Sequence, residues 1–254
     1  MELFSIVLLS VASHQLADTA FYRRVIHAPD VRSDTLYTLT WSFFKQSPPQ
    51  TELILGEIVK HPKVESGTLR GAALWVMNYG ISDQSDILDT IVAHSDSDEA
   101  TLGTVSSVLV KYNPRGSEQL LRGIISHPNT GSLALSQVSL AIRKHSLAVD
   151  QALLDDILAH PAVDQGGVQN VARVIGKHRE LGNPDLLKKI IGHGQVDRNA
   201  LNSVAITLAN DSYDGESDLL DSIRHHPKAD ERTIVYVDRA LARNDYSDPD
   251  EDVF

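Results

Sequence analysis

A histidine recurs every 33 residues in this chain, and this fixed interval limits the possible folds more than any other feature of the sequence. The series comprises His61, His94, His127, His160, His193 and His226. One interval earlier lies Ala28, which is followed by Pro29, just as four of the six histidines are followed by proline. A constant period of about 20 to 50 residues is typical of stacked repeat proteins. We call the histidine position the anchor of each repeat.

Apolar residues precede each anchor at the same four offsets. Before His61 they are Ile54, Leu55, Ile58 and Val59, and the pattern breaks only at Arg224 in the last copy. Offsets of one, four and five residues place these side chains on one stripe of a helix, whereas a strand would alternate them between its two faces. The spacing therefore predicts a helix before each anchor, which we call helix A.

A second apolar stripe follows each anchor. In one copy it consists of Leu69, Ala72, Ala73 and Val76, and the third of these places holds Ala or Ser in most copies. Spacing at i, i+3, i+4 and i+7 is that of an amphipathic helix. The small side chain allows neighbouring helices to approach closely. The sequence therefore predicts a second helix in each repeat, helix B.

Prolines and capping residues agree with these boundaries. A proline after the anchor cannot continue helix A, so helix A should end near the histidine. An acidic residue four positions after the anchor suits the N-terminus of helix B; these residues are Glu65, Asp98, Asp164, Asp197 and Asp230. Helix A has its own predicted N-caps in Thr51, Ser85, Ser117, Asp150 and Asn183.

Together these patterns predict an all-α protein. We expect a right-handed α-solenoid of about seven stacked 33-residue helix–turn–helix repeats, with a half repeat at the N-terminus. Residues 1–243 would form this single domain, and the acidic residues 244–254 would be a disordered tail.

The apolar residues 4–12 admit a second interpretation, as the core of a signal peptide. Glu2 stands where such a peptide needs a positive charge, and Leu3 and Ile6 are in register with a helix B, so we favour the half repeat. No stretch reaches the roughly 18 apolar residues of a membrane span. Absence of cysteine fits either redox environment, and our expectation is a cytoplasmic, monomeric protein.

The paired helices with small residues in helix B resemble the HEAT-like and armadillo-like α-solenoid families. The segment from His127 to Thr130, His-Pro-Asn-Thr, is also similar to the leucine-rich repeat variant family. The histidine ends helix A here, unlike the Thr-Pro-Leu-His start of ankyrin repeats, and the Trp, Leu-Gly and Tyr pattern of tetratricopeptide repeats is missing. The resemblance implies a helical solenoid whose members mostly bind proteins and in some cases bind nucleic acid.

Composition narrows the partner. The chain has 23 Lys and Arg against 34 Asp and Glu, a net charge of −11. This sign opposes a role of the whole protein in gripping nucleic acid, because phosphate contacts dominate such affinity. It suits a basic protein partner. Without cysteine there is no thiolate nucleophile and no Cys-ligated metal.

The histidine series raises the question of a metal site. Zinc needs ligand nitrogens about 2 Å from one ion, whereas neighbouring helices lie about 8–10 Å apart. Histidines of successive repeats therefore cannot share an ion. We expect each imidazole to close the end of helix A, and we predict no metal and no cofactor.

A second ladder lies 17 and 18 residues after each anchor, at the predicted end of helix B. We call it the C-terminal ladder, and its central members are Lys111, Tyr112, Lys144, His145, Lys177 and His178. One interpretation is a cation that favours the helix C-terminus by about 0.3–1 kcal/mol. The other is a basic, partly aromatic strip that docks an acidic peptide or phosphate groups.

A third candidate lies on helix B of the first two full repeats. Apolar side chains cluster there away from the core stripe: Trp41, Phe44, Leu74, Trp75 and Met77. They would form an anchoring patch for a protein partner, or they would pack beneath the N-terminal helices.

No Gly-x-Ser-x-Gly, Walker, His-Glu-x-x-His or Gly-x-Gly-x-x-Gly motif is present. Our first hypothesis is a non-enzymatic solenoid that binds a protein through a concave helix B face, for example an acidic immunity or inhibitor protein. The alternative is a nucleic-acid-binding or DNA-glycosylase-like repeat protein that uses Lys111, Lys144 and Lys177. A further alternative is the repeat region of a larger protein whose activity lies elsewhere.

Overall fold

The computed structural model describes residues 19–44, 47, 50–80, 86–113, 117–145, 150–178, 183–210 and 216–245. Within these segments the chain forms fourteen α-helices and no β-strand, so the predicted all-α class is confirmed for them. The helices are α1 (Thr19–Ile26), α2 (Ser33–Ser42), α3 (Thr51–Val59), α4 (Ser66–Tyr79), α5 (Ile87–Ala93), α6 (Glu99–Tyr112), α7 (Ser117–Ser126), α8 (Ser132–His145), α9 (Gln151–Ala159), α10 (Gln165–Lys177), α11 (Pro184–Ile191), α12 (Arg198–Asn210), α13 (Glu216–Arg224) and α14 (Glu231–Asp245).

The helices alternate in the order that the repeat predicts. Odd-numbered helices correspond to helix A and end one or two residues before the anchor, and even-numbered helices correspond to helix B. Both predicted apolar stripes are buried: Ile54 and Leu55 of α3, like Leu69 and Val76 of α4, are at most 1% exposed. Each fully buried side chain of this size contributes about 1.5–3 kcal/mol to folding, so the stripes account for why these segments are helical pairs.

The chain divides into two compact units, Met1–Ala134 and Leu135–Phe254. In the first unit, α1, α3, α5 and α7 pack successively against one another, and so do α2, α4 and α6. In the second unit the same rule holds for α9, α11 and α13 and for α10, α12 and α14. Within each unit, packing of A helices on A helices and of B helices on B helices is consistent with a helical repeat.

The turn between the two helices of a repeat is built on the anchor histidine. In all six turns the backbone N–H two residues after the histidine donates a hydrogen bond of 3.1 Å to its Nδ1 atom. The N–H one residue further on donates to the histidine's own carbonyl oxygen, as Val64 does to His61 at 3.0 Å. The imidazole thus satisfies a backbone donor of the tight turn.

Aspartates begin several helices, as predicted. The carboxylates of Asp98 and Asp164 accept the N–H of the third residue that follows them, at 2.8 and 2.9 Å, and Asp150 and Asn183 do the same for α9 and α11. Two predicted caps are wrong: Thr51 and Ser117 are buried first residues of α3 and α7, so the helix begins one residue earlier than expected. The predicted cap Ser85 lies outside the described residues.

Two expectations concern parts of the chain that the structure does not describe. They are the N-terminal half repeat or signal-like segment, within residues 1–18, and the disordered tail, of which residues 246–254 fall outside. None of the helices in the described ranges is long and apolar enough to cross a membrane.

Candidate interaction surface

The anchor histidines have their ring nitrogens committed to the backbone. Beyond the turn bond at Nδ1, Nε2 of His127 lies 3.3 Å from the carbonyl oxygen of His94, and Nε2 of His193 lies 3.1 Å from that of Leu158. These contacts join a repeat to the one before it. In the described segments no three His, Asp or Glu side chains are grouped as metal ligands would be. The series is therefore a structural feature of the turns.

Burial disfavours the charged form of two of these imidazoles. It lowers the pKa of His61, with the positive charges of Lys63 and His27 as smaller causes. It also lowers the pKa of His226, with Lys228 as the second cause. A neutral ring is what the turn needs, because Nδ1 must keep its lone pair to accept the backbone N–H.

The C-terminal ladder makes a recurring contact with the preceding repeat. Nζ of Lys111 donates to the carbonyl oxygen of Met77 at 2.7 Å, and the hydroxyl of Tyr112 donates to the same oxygen at 2.9 Å. One repeat earlier, the hydroxyl of Tyr79 donates to the carbonyl oxygen of Phe44 at 3.0 Å. Each side chain thus closes the C-terminal end of the neighbouring B helix, where carbonyls lack an intrahelical partner.

The second unit repeats this arrangement. Nζ of Lys177 donates to the carbonyl oxygen of Arg143 at 3.2 Å. The guanidinium of Arg243 donates to the carbonyls of Ala209 and Leu208 and to the carboxylate of Glu216, at 3.0, 3.1 and 2.7 Å. The ladder cations act on the last turn of the preceding B helix, whereas the sequence interpretation had placed their effect on their own helix.

The remaining ladder residues of α8 and α10 differ in exposure. Lys144 is exposed to solvent, whereas His145 and His178 are half-buried. Lys111 and Lys177 are also exposed beyond their contact atoms, and the Lys111 ammonium lies 4.8 Å from the centre of the Tyr112 ring. The ladder therefore remains accessible along its length although its members also bind backbone carbonyls.

The aromatic side chains of α2 and the turn that follows it form a continuous surface. The rings of Tyr37 and Trp41 lie 5.9 Å apart, and those of Trp41 and Phe44 are stacked at 5.0 Å. Tyr37 is 45% exposed, and Trp41 and Phe44 are half-buried. Their spacing of four and three residues places them on one face of the helix.

The neighbouring helix α4 extends this surface. Leu74 and Met77, 33 residues after Trp41 and Phe44, are half-buried at the same repeat positions. We call Tyr37, Trp41, Phe44, Leu74 and Met77 the aromatic platform. Trp75, which we had expected in the patch, is only 6% exposed and lies with its ring 5.3 Å from that of Tyr79. It supports the platform from beneath and offers a partner little surface.

Two glycines of α4 make room for the aromatic rings of α2. A Cβ atom on Gly67 would lie 3.2 Å from the Tyr37 ring, and one on Gly71 would lie 2.9 Å from Thr40 and 3.2 Å from the indole nitrogen of Trp41. Residues 67 and 71 are one helical turn apart, so the rings seat directly on the backbone of α4. The platform is thus fixed by close helix packing.

Charge is unequally divided in the second unit, and composition alone did not show this. Helices α8, α10 and α12 contain no acidic residue and five basic ones, namely Arg143, Lys144, Arg173, Lys177 and Arg198. Helices α9, α11 and α13 contain three basic residues and six acidic ones, namely Asp155, Asp156, Asp185, Glu216, Asp218 and Asp221. The net negative charge therefore does not describe the B helices of this unit.

Two functional candidates were missed by the sequence interpretation. Arg173 of α10 and Arg239 of α14 are exposed and occupy the same repeat position, 13 residues after the anchor. Neither forms an ion pair with another residue in the described part of the chain. The signal was available in the repeat register, but the ladder of lysines four positions later drew the attention.

An open cleft of about 500 Å³ lies between the ends of α1 and α3, lined among others by His27, Pro29, Glu57, Lys60, His61 and Lys63. The Glu57 carboxylate accepts hydrogen bonds from Arg23 at 2.7 Å and from His27 at 3.2 Å. Because this one carboxylate already has two partners, it supports the helix contact and leaves the cleft with basic side chains.

Comparisons of the chain with protein-family models, with curated proteins and with solved structures gave no match. The interaction surface is therefore argued from its own geometry and chemistry.

Proposed function

We propose that this chain is a non-enzymatic helical-repeat protein that binds another protein through its B helices. In this proposal the 33-residue pairs stack as a right-handed α-solenoid of about seven repeats, related in form to HEAT-like and armadillo-like proteins. The observation that carries the proposal is the aromatic platform, a partly exposed apolar surface on two adjacent B helices with no covering element among the described residues.

The composition of the platform favours a protein as its partner. Aromatic side chains and Met are enriched at protein interfaces, and a few buried aromatic residues commonly supply most of the binding energy. Trp41 and Phe44 are held in place by stacking, so little side-chain entropy remains to be lost on binding. Truncation of such an anchor commonly costs about 2 kcal/mol or more of binding energy.

The register extends the surface beyond the platform. Because positions 41 and 44 recur at 74 and 77, a partner that crosses α2 and α4 meets equivalent positions on each B helix. The A helices lack this feature: Leu53 of α3 is 58% exposed but is not part of an aromatic group. Leu53 therefore provides a matched control for an exposed apolar side chain.

The proposal is tested by site-specific photo-cross-linking. A benzoylphenylalanine residue is placed at position 37 or at position 53, and the chain is exposed to a lysate of its source cells. We expect one protein to cross-link from position 37 and not from position 53, and to be lost when Trp41→Ala is added. Equal cross-linking from both positions, or capture that survives Trp41→Ala, would contradict a binding role of the platform.

A further inference from the structure

The basic face of the B helices in the second unit is chemically unlike the rest of the protein. We infer that this face binds an extended, acidic polypeptide segment of the protein partner, with Arg173 and Arg239 as its two carboxylate-binding residues. This inference rests on the proposed function, because it assigns chemistry to part of the partner. It also reverses the basic partner that the net charge alone had suggested.

The two arginines are suited to carboxylates and available for them. Both are exposed, and neither is paired with an acidic residue in the described segments. On α14 the neighbouring Asp238 is already paired with Arg224 at 2.6 Å, while the guanidinium of Arg239 lies 5.5 Å from the Tyr236 ring. A planar guanidinium binds a carboxylate through two parallel hydrogen bonds, which gives geometric specificity as well as attraction.

The helix spacing sets the length of the segment. Arg173 and Arg239 hold the same repeat position on α10 and α14, and α12 packs against both of these helices. Neighbouring helices lie about 8–10 Å apart, so two such steps separate the arginines by about 20 Å. An extended chain advances about 3.3 Å per residue. The two carboxylates should therefore stand about six residues apart.

The residues between the arginines suit the middle of such a segment. On α12 the same repeat position holds Ile206, which is half-buried and can contact an apolar side chain. One helical turn earlier stand the amides of Gln169 on α10 and Asn202 on α12, both half-buried. Side-chain amides can donate to and accept from a peptide backbone. The face therefore offers charge at its ends and apolar and amide groups between.

A nucleic acid fits this face less well than an acidic peptide. Helices α8, α10 and α12 contain no Phe, Tyr or Trp, so they have no ring on which bases could stack. The six acidic residues of α9, α11 and α13 would repel a polyanion that carries one charge per nucleotide. A peptide with two well-spaced carboxylates avoids both problems.

The test uses two fluorescein-labelled peptides of about seven residues and fluorescence anisotropy at low ionic strength. One is Glu-Gly-Ser-Leu-Ser-Gly-Glu, and the other, Gly-Ser-Glu-Glu-Leu-Ser-Gly, has the same composition with adjacent glutamates. We expect the spaced peptide to bind the full chain at least about fivefold more tightly, since only it can contact both arginines. The double variant Arg173→Glu, Arg239→Glu should lose this preference.

The control is Lys188→Glu, which makes the same charge change on an exposed side chain of α11. It should leave the preference intact. Circular dichroism checks the fold, and the milder pair Arg173→Gln, Arg239→Gln replaces the double variant if that one fails to fold. Equal binding of the two peptides, or an equal effect of Lys188→Glu, would overturn the inference.

A single-stranded oligouridylate provides the last comparison. If it bound more tightly than the spaced peptide, with steep salt dependence and with loss in the same double variant, the face would be a nucleic-acid site and our inference would be wrong. Failure of the peptide while cross-linking from position 37 persists would refute this inference alone. Failure of both experiments would refute the proposed function as well.

Discussion

Replacement of Gly71 by alanine tests whether close packing of B helices fixes the aromatic platform. A Cβ atom on Gly71 would lie 2.9 Å from Cγ2 of Thr40 and 3.2 Å from Nε1 of Trp41. Thr40 is fully buried, and its β-branched side chain is restricted in rotation, so it cannot turn aside easily. Gly56 of α3 is the matched control, because the nearest atom to its Cβ would be Cγ1 of Ile87 at 3.8 Å.

The two substitutions should change the free energy of unfolding with opposite sign. Alanine in place of glycine inside a helix stabilises by about 0.5–1 kcal/mol, and Gly56→Ala should realise this gain. At Gly71 the extra methyl group overpacks the interface, at a cost of about 1–3 kcal/mol. The net result for Gly71→Ala should be a loss of about 1 kcal/mol, and Trp41 should be pushed outwards.

Urea unfolding followed by circular dichroism measures both free energies from the midpoint and slope. Tryptophan emission reports the displacement, since a more exposed Trp41 should shift its emission to longer wavelength in Gly71→Ala only. If Gly71→Ala stabilised the protein as much as Gly56→Ala does, with unchanged emission, the close seating of the rings on α4 would be refuted.

Further predictions concern ion pairs and pH. Arg243→Met should destabilise by about 2–4 kcal/mol, because it leaves the buried carboxylate of Glu216 without its guanidinium. Arg224→Met, which breaks an exposed pair, should cost about 1 kcal/mol or less; thermal unfolding compares the two, and equal losses would contradict the prediction. The lowered pKa of His61 means that its contribution to stability is complete above its ordinary value of 6.5 and declines as pH falls towards the folded-state pKa. His61→Asn, whose side-chain oxygen can accept the same N–H without titrating, should make unfolding less pH-dependent in that window, and an unchanged profile would count against the turn bond.

Local chemistry explains why much of the fold was predictable. The 33-residue period, the apolar stripes and the capping residues Asp98 and Asp164 each act within a few positions of the chain, so the sequence shows them directly. The errors at Thr51 and Ser117 are of one residue, where a hydroxyl group can begin a helix from either side of its boundary.

Contacts between repeats were less predictable. A lysine at the end of a helix is explained by its own helix dipole, and nothing local shows that Lys111 reaches Met77 of the preceding repeat. Burial of Trp75 depends on how α4 packs against α2, which the residue type does not specify. The basic B helices were hidden because net charge averages over acidic and basic faces, and the pair Arg173 and Arg239 becomes visible once helices are assigned to faces.

The most direct test of the repeat architecture is removal of one complete period. Deletion of residues 61–93 joins α3 to the turn of His94, so the new junction has the same form as the old one. Because each repeat contacts only its neighbours, we predict a soluble chain that unfolds cooperatively, with unchanged helical signal per residue. Deletion of residues 61–77, about half a period, should abolish cooperative unfolding. If both deletions lost the helical signal to the same extent, the chain would not be built from interchangeable helical pairs.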